Sequence, residues 1–207
     1  MAGSTDRLVW IDCEMTGLDL AVDELVEIAV VITDFELAPV HPGLQLVITP
    51  SSAAFAHMNE FVTTMHTTSG LIEEIPNGLA LADAEAAVMA YVTKFVPAAK
   101  QAPLAGNTIG TDRMFLAKYM PKLDAHLHYR SVDVSSIKEL SRRWFPRVYF
   151  QAPEKAGGHR ALADILESIR ELDYYRSAGF VAQPGPTSDE VQAIASRVVE
   201  KWSPLIG

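Results

Sequence analysis

The stretch "LVWIDCEMTGLD" (residues 8–19) joins an apolar run to two acidic residues. Residues 8–11 are all apolar, which is typical of a buried strand. Asp12 and Glu14 follow two residues apart, so in a strand their side chains point to the same face. Carboxylates at the end of a buried strand repel each other and lose hydration, which is costly unless cations are bound nearby. We therefore interpret this stretch as a strand that ends at a cation site.

The chain around this strand has the pattern of an α/β protein. Short apolar segments bounded by turn residues predict five strands, over residues 7–12, 25–34, 44–50, 102–107 and 130–134. Helical spacing predicts helices over residues 58–68, 69–75, 81–96, 109–120, 135–144 and 159–176, and a last amphipathic helix after Thr187. We predict a loop over residues 147–158, which contain a proline and two glycines. Early strands followed by alternating helices and strands indicate one mixed sheet flanked by helices.

The length of 207 residues favours one domain, or one domain with an appendage. The sequence has no apolar run long enough to span a membrane, and its N-terminus lacks the basic-then-apolar pattern of a secretory signal. Its single cysteine cannot form an internal disulfide, as is usual in a reducing compartment. We therefore expect a cytoplasmic protein without membrane contact.

The formal net charge of −9 is unevenly distributed along the chain. Residues 1–60 hold ten Asp or Glu and one Lys or Arg, whereas residues 129–160 hold seven Lys or Arg and three Asp or Glu. Both regions could simply be solvated surface. Proteins that track long nucleic acids are usually basic overall, because their affinity comes from many phosphate contacts. The charge balance therefore disfavours a processive nuclease, while the basic segment suits the capture of one or two phosphates.

Further acidic residues lie where apolar residues are expected. Asp112 is one turn into the helix 109–120, and Asp164 lies beside the apolar stripe of the helix 159–176, five residues after His159. Taken singly, each could be a helix-start or surface residue. Taken together, they suit Mg²⁺ or Mn²⁺, which prefer carboxylate oxygens, and two such ions about 3.5–4 Å apart can promote displacement at phosphorus. A histidine can accept a proton from water near neutral pH.

Three motifs are similar, in order and spacing, to those of the DEDDh exonucleases. Asp12 and Glu14 match the first motif in "WIDCEMTGLD", Asp112 matches the second in "GNTIGTDRMFL", and His159 with Asp164 match the third in "HRALADI". Within this family, the chain most resembles the oligoribonucleases, through "TSGL" (68–71), "KYMPKLDAHLHYRSVDVSSIKELSRRW" (118–144) and "HRALADILESIREL" (159–172). The resemblance covers residues 7–176, so we predict an exonuclease domain over residues 1–179 and a C-terminal extension over residues 180–207.

The resemblance implies a ribonuclease H-like fold, with a mixed five-stranded sheet and two divalent ions, Mg²⁺ or Mn²⁺, in a cleft at the carboxyl end of the strands. The implied metal ligands are Asp12, Glu14, Asp112 and Asp164, and His159 is the implied general base. The implied activity is that of a 3′-to-5′ exoribonuclease. It degrades very short RNAs, chiefly dinucleotides, to nucleoside 5′-monophosphates.

The resemblance also assigns contacts with the bases by position. Leu18 would wedge against the bases, Phe61 would pack near them, and His66 would lie close to the 3′ nucleotide. Many members of the family have Trp where this chain has Phe61, and both side chains offer a ring for stacking.

The implied phosphate contacts and the implied assembly both involve the basic segment. Thr108, Arg130 and Ser135 would bind the 5′ phosphate of the substrate. Thr108 replaces a serine that is common in the family, and both residues offer a hydroxyl group. The family forms homodimers, so Tyr129 of one subunit would reach into the cleft of the other.

Three other functions stay open at this point. A proofreading-type DNA exonuclease or a tRNA-trimming enzyme would share the same five motif residues, although the acidic balance and the segment "HYRSVDV" (128–134) argue against both. A regulatory metal-binding module would require the loss of a catalytic residue, and none is lost. A phosphatase built on four aspartates would not need His159.

Overall fold

The computed structural model describes residues 6–154 and 158–206, and within them five strands form one mixed sheet. The strands are β1 (Leu8–Met15), β2 (Leu25–Thr33), β3 (Leu44–Val47), β4 (Pro103–Gly106) and β5 (His128–Asp133). They lie in the order β3-β2-β1-β4-β5, with β2 antiparallel to β1 and β3, and with β4 and β5 parallel to β1. The predicted mixed five-stranded sheet flanked by helices is therefore confirmed.

The helices of the described residues begin and end as follows: α1 (Ser52–His57), α2 (Glu60–Thr68), α3 (Leu71–Glu74), α4 (Leu81–Phe95), α5 (Gly110–Tyr119), α6 (Pro121–His126), α7 (Val134–Trp144), α8 (Pro146–Phe150), α9 (Ala161–Gly179) and α10 (Ser188–Ile206). A short 3₁₀ helix over Ile75–Asn77 follows α3. Each predicted helix has a counterpart among them, with ends that differ by a few residues.

Two parts of the sequence prediction were wrong. The predicted loop over residues 147–158 begins with helix α8, because Pro146 occupies a first helical position, where its fixed φ is suited to a helix start. The rest of that loop includes residues 155–157, which lie outside the described residues. Strand β3 ends at Val47 rather than residue 50, although Ile48 still pairs with Leu79 in an isolated bridge.

The central strand β1 divides the core into two apolar layers, because its side chains alternate between the two faces of the sheet. Val9 and Ile11 belong to a layer formed with α4, α5 and α6, whereas Leu8 and Trp10 belong to a layer formed with α7 and α9. Residues 12 and 14 continue the face of Leu8 and Trp10. The acidic end of β1 is therefore on the side of the sheet that α9 covers.

Helix α9 packs on the sheet through the apolar stripe that its sequence predicts. Ile165 and Ile169 are buried in the layer with Trp10, and the half-buried Leu162 and Leu172 pack against the same layer. This packing places the start of α9 at the carboxyl end of β1. His159 and Asp164 of the third motif thereby lie close to Asp12 and Glu14 of the first motif.

The C-terminal segment differs from the rest of the chain in its burial. Helix α9 ends at Gly179, and the side chains from Ser188 to Leu205 in α10 are all exposed, including large apolar ones such as Trp202. The division at residues 179 and 180 stays a prediction. None of the helices among the described residues has the length and apolar character that crossing a bilayer requires.

Gly106, at the end of β4, provides a test of how closely β4 approaches β1 near the acidic end of the sheet. A Cβ atom at this position would lie 3.0 Å from the backbone oxygen of Ile11 and 2.8 Å from Cδ1 of Ile109. We expect Gly106→Ala to lower the free energy of unfolding by about 1–3 kcal/mol, as overpacking does. Urea unfolding followed by circular dichroism would measure the loss.

Gly179→Ala is the matched control, because a Cβ at Gly179 would meet no heavy atom within 4 Å. We expect this variant to be as stable as the wild type or slightly more so, since alanine favours the helix. Equal stability of the two variants would contradict the close approach of β4 to β1.

Candidate active site

A cleft of about 580 Å³ opens at the carboxyl end of β1. Its walls come from four parts of the fold: the end of β1 with the turn after it, the first turn of α2, the first turn of α5 and the start of α9. All five residues of the sequence motifs line this cleft, namely Asp12, Glu14, Asp112, His159 and Asp164. The structure therefore brings together the residues that the sequence predicts to act together.

Three of the acidic residues lie close enough to share one metal ion. Asp12, Glu14 and Asp164 each offer a carboxylate oxygen, and these oxygens lie within 4.8 Å of one another. Asp112 lines the same cleft but is attached to β1, because its Oδ1 accepts a hydrogen bond from the backbone N–H of Cys13 at 3.0 Å. This contact fixes the first turn of α5 against the end of β1.

The carboxylates are strongly destabilised in their charged form. Burial raises the pKa of Glu14 to about 8, and the charges of Asp164 and Glu27 add to the effect. Burial also raises the pKa of Asp112 to about 7 and holds the pKa of Asp12 well above its usual range. Bound divalent cations would reverse this penalty, and an all-carboxylate set of oxygens suits Mg²⁺ or Mn²⁺. The residues present therefore fit the metal site that the sequence predicts.

His159 reaches the cleft from a constrained backbone position. Its φ of +47° lies in the left-handed region, which is uncommon for residues other than glycine. The following residue, Arg160, is extended and caps α9, and the backbone N–H of Asp164 donates to the oxygen of Arg160 at 3.0 Å. The turn thus presents the imidazole and the carboxylate of Asp164 to the same cleft.

Two exposed apolar side chains form the outer wall of the cleft. Leu18 is 74% exposed and Phe61 is 76% exposed, and both line the cleft. The turn that carries Leu18 is held by the buried Asp23, whose carboxylate accepts hydrogen bonds from the Thr16 hydroxyl and the Asp19 amide. Exposed apolar groups on fixed supports are suited to stacking against bases.

Thr108 and Ser135 are brought together by Asp133, which the sequence analysis did not assign to the site. Asp133 Oδ1 accepts hydrogen bonds from the Thr108 N–H at 3.0 Å, the Ser135 N–H at 3.0 Å and the Ser135 hydroxyl at 2.6 Å. Asp133 is the N-cap of α7, and Asp is a favoured N-cap residue, but the sequence analysis placed it at the end of the predicted strand 130–134. Thr108 lines the cleft, so the group lies at its edge.

Among the predicted substrate contacts, Arg130, Ser135 and His66 do not line the cleft of this chain, whereas Tyr129 was predicted to reach the cleft of the other subunit. Tyr129 is 72% exposed on β5, where the Arg130 guanidinium lies 5.3 Å from the centre of its ring, and neither residue lines the cleft. His66 is completely buried, and its Nε2 lies 2.9 Å from the backbone oxygen of Met15. Burial lowers the pKa of His66. His66 therefore supports the end of β1 through the backbone oxygen of Met15, and its contact with the 3′ nucleotide stays a prediction.

Comparison with known proteins shows that this chain is similar to exonucleases. Residues 9–172 match the family model RNase_T, which is described as Exonuclease. An oligoribonuclease of Leifsonia xyli is 73% identical over 207 residues, covering all of both chains. An oligoribonuclease of Streptomyces avermitilis is 58% identical over 194 residues, covering 94% of this chain and 97% of that protein.

Solved structures share the fold at much lower identity. A zinc-bound complex of E. coli exonuclease I with single-stranded DNA gives a TM-score of 0.66 at 16% identity, covering 98% of this chain and 45% of that chain. Exonuclease I of Methylocaldum szegediense gives 0.62 at 18% identity, covering 84% of this chain and 41% of that chain. This chain thus spans less than half the length of those proteins, and the likeness shows a common fold.

The raised pKa of Glu14 predicts how the stability of the metal-free protein depends on pH. Between about pH 5 and pH 8 the native state keeps a proton that the unfolded chain releases, so this group makes the native state less stable as the pH rises. In EDTA, we expect Glu14→Gln to match the wild type at pH 5 and to exceed its melting temperature by at least about 2 °C at pH 8.

Thermal unfolding followed by circular dichroism would measure this difference. Comparison with Glu14→Gln removes the contribution of other titrating groups, such as the histidines. Mn²⁺ should raise the melting temperature of the wild type more at pH 8 than at pH 6, because binding requires ionised carboxylates. A constant difference between the two proteins across the pH range would contradict the assignment.

Proposed function

The chain belongs to the oligoribonuclease family of exonucleases, and from that premise we propose that its substrates are very short RNAs, chiefly 5′-phosphorylated dinucleotides. It is a metal-dependent exoribonuclease, a hydrolase of phosphodiester bonds. We propose that Asp12, Glu14, Asp112 and Asp164 hold two ions, Mg²⁺ or Mn²⁺, and that His159 is the general base. The observation that carries this proposal is the convergence of these five side chains on one cleft.

The chemistry follows from the arrangement of these side chains. When bound, the ions would activate the attacking water and stabilise the charge that develops on the leaving oxygen. His159 accepts a proton from that water at an imidazole nitrogen. The bond that breaks joins phosphorus to the 3′ oxygen of the preceding nucleotide, so the released nucleotide keeps its 5′ phosphate.

The size and walls of the cleft support a short substrate. Its volume of about 580 Å³ is within the range of sites for small molecules. Leu18 would separate the two bases, and Phe61 would stack on one of them, because both side chains are exposed apolar groups within the cleft. An acidic protein also lacks the many basic contacts that hold a long chain.

A contact with the 5′ phosphate of the substrate would let the site select its substrates by length. Thr108 and Ser135 are held next to each other by Asp133, and Arg130 follows Tyr129 on the neighbouring strand β5. An arginine can make two parallel hydrogen bonds to a phosphate. A site that encloses the terminal phosphate would hinder a longer chain from passing through.

A homodimer would complete the cleft. Tyr129 is an exposed aromatic residue on β5, which is an edge strand of the sheet, and such residues are enriched at interfaces. We propose that Tyr129 of each subunit reaches the cleft of the other. We also propose that the exonuclease domain ends at residue 179 and that residues 180–207 are an extension, which the full exposure of α10 supports.

Arg130→Ala tests the selection of substrate length. Charged hydrogen bonds contribute about 1.5–3 kcal/mol, so we expect kcat/KM for a 5′-phosphorylated dinucleotide to fall at least about tenfold. The loss on a 7-mer should be smaller, so that the preference for dinucleotides is reduced. End-labelled RNAs of 2 to 10 nucleotides, incubated with Mg²⁺ or EDTA, would provide the rates.

Arg143→Ala is the matched control, because Arg143 is an exposed arginine of the same basic region that pairs with Glu139. It should leave the length profile of the wild type unchanged. Equal losses at every length in Arg130→Ala would mean that Arg130 provides only general electrostatic attraction, and the dinucleotide proposal would fail.

Mixing two inactive variants tests the shared cleft. A Tyr129→Ala chain and an Asp112→Asn chain form a mixed dimer in which one cleft has both residues intact. Random mixing makes half of the dimers mixed, so we expect recovery of up to about a quarter of the wild-type rate, as two-fold symmetry requires. No recovery in a mixture that sedimentation shows to contain dimers, or a fully active monomer, would contradict this assembly.

A further inference from the structure

We propose that Glu27 and Arg160 are a positioning pair, which holds His159 and the start of α9 in the geometry that catalysis needs. The proposal rests on the proposed role of His159 as general base. Glu27 lies on β2 directly opposite Glu14 in the β1–β2 register, and its side chain is completely buried. A further carboxylate therefore lies beside the site.

The carboxylate of Glu27 is already occupied by donors of the protein. Its Oε1 accepts hydrogen bonds from Gln45 Nε2 at 2.7 Å and from Arg160 Nε at 3.0 Å. Its Oε2 accepts a hydrogen bond from the backbone N–H of Ala161, the first residue of α9, at 2.8 Å. Glu27 is thus bound to the polypeptide itself, at the residue where α9 begins, and is not among the carboxylates grouped closely enough to share an ion.

Arg160 connects this buried carboxylate to a second element. Its Nη1 donates to Glu74 Oε1 at 2.7 Å and its Nη2 donates to Glu74 Oε2 at 3.1 Å, so the guanidinium also binds α3. The same Nη2 lies 2.8 Å from Glu27 Oε1. A buried carboxylate is tolerated when a cation and further hydrogen bonds compensate it, and this pair meets both conditions. The start of α9 is therefore attached to two other elements, β2 and α3.

The attachment acts on the backbone next to His159, at Arg160 and Ala161. A left-handed φ of +47° at a non-glycine residue persists only when the surrounding structure enforces it. The two residues after His159 are the ones that Glu27 holds, through the side chain of Arg160 and the amide of Ala161. Loss of these contacts would let His159 relax to a common conformation. Small displacements of a catalytic group lower the rate of the chemical step more than substrate affinity.

Glu27→Gln tests the pair while preserving the size of the side chain. The amide has one acceptor oxygen where the carboxylate has two, so it cannot accept from Arg160, Gln45 and Ala161 as before. At saturating Mn²⁺ we expect kcat on a 5′-phosphorylated diadenylate to fall at least tenfold, with KM changed less than threefold. In the metal-free protein, hydrogen exchange of the Ala161 amide should accelerate at least tenfold, while the amides of β1 keep their protection.

Combining Glu27→Gln with His159→Ala separates a positioning role of Glu27 from its other possible roles. If Glu27 acts through His159, then Glu27→Gln should lower kcat less than threefold when His159 is already Ala, because the two losses are not additive. If the losses of kcat from the two single variants multiply in the double variant, the proposal is overturned. A His159→Ala chain as active as the wild type would instead show that the proposed general base is wrong, and the pair would lose its catalytic role with it.

Glu36→Gln is the matched control, because Glu36 pairs with Arg176 at the other end of the same helix, 3.1 Å apart and exposed. We expect its kcat to stay within twofold of the wild type. If Glu27→Gln does not fold, Arg160→Gln, whose side chain is partly exposed, should show the same pattern to a smaller degree. A lower melting temperature with unchanged kcat per folded molecule in either variant would mean that the pair only stabilises the fold.

Discussion

The burial of several carboxylates at the carboxyl end of β1, together with their mutual repulsion, is the constraint on which the rest of the structure depends. Asp12 and Glu14 belong to the central strand of the sheet, where burial penalises their charged forms. Two further acidic residues, Asp112 of α5 and Asp164 of α9, line the same cleft. Such a group lowers the stability of the protein unless cations are bound nearby.

The buried acidic residues differ in the partners that surround their carboxylates. Glu27 is compensated inside the protein by Arg160, by Gln45 and by the N–H of Ala161. In the cleft, burial raises the pKa of Asp12, Glu14 and Asp112, and Asp112 accepts a hydrogen bond from the Cys13 amide of β1. Glu27 is thereby part of the scaffold, while the raised pKa values of Asp12, Glu14 and Asp112 suit a site that binds metal ions. The difference follows from which donors reach each carboxylate, since all of these residues carry the same functional group.

Chemistry and recognition are placed on different parts of the molecule. The carboxylates come from β1 and from the first turns of α5 and α9, which pack on opposite faces of the sheet, and His159 comes from the turn before α9. Leu18 and Phe61 are exposed at the outer wall of the cleft, and Tyr129 is exposed on β5 outside it. Rigid elements hold catalytic groups precisely, and exposed side chains can change with the substrate without disturbing the sheet.

The sequence by itself determined the strand that ends in Asp12 and Glu14, the apolar stripe of α9 and the three motifs, because each is a local pattern set by strand or helix periodicity. It also predicted a mixed sheet, since the order of elements limits the possible topologies. Only the tertiary structure decided that His66 is buried under Met15, that Asp133 joins Thr108 to Ser135, and that Glu27 meets the start of α9. These contacts join residues far apart in the chain, and a side chain that could face solvent, metal or protein has no local signal to choose among them. Packing makes that choice, because it fixes which donors lie within hydrogen-bonding distance of each acceptor.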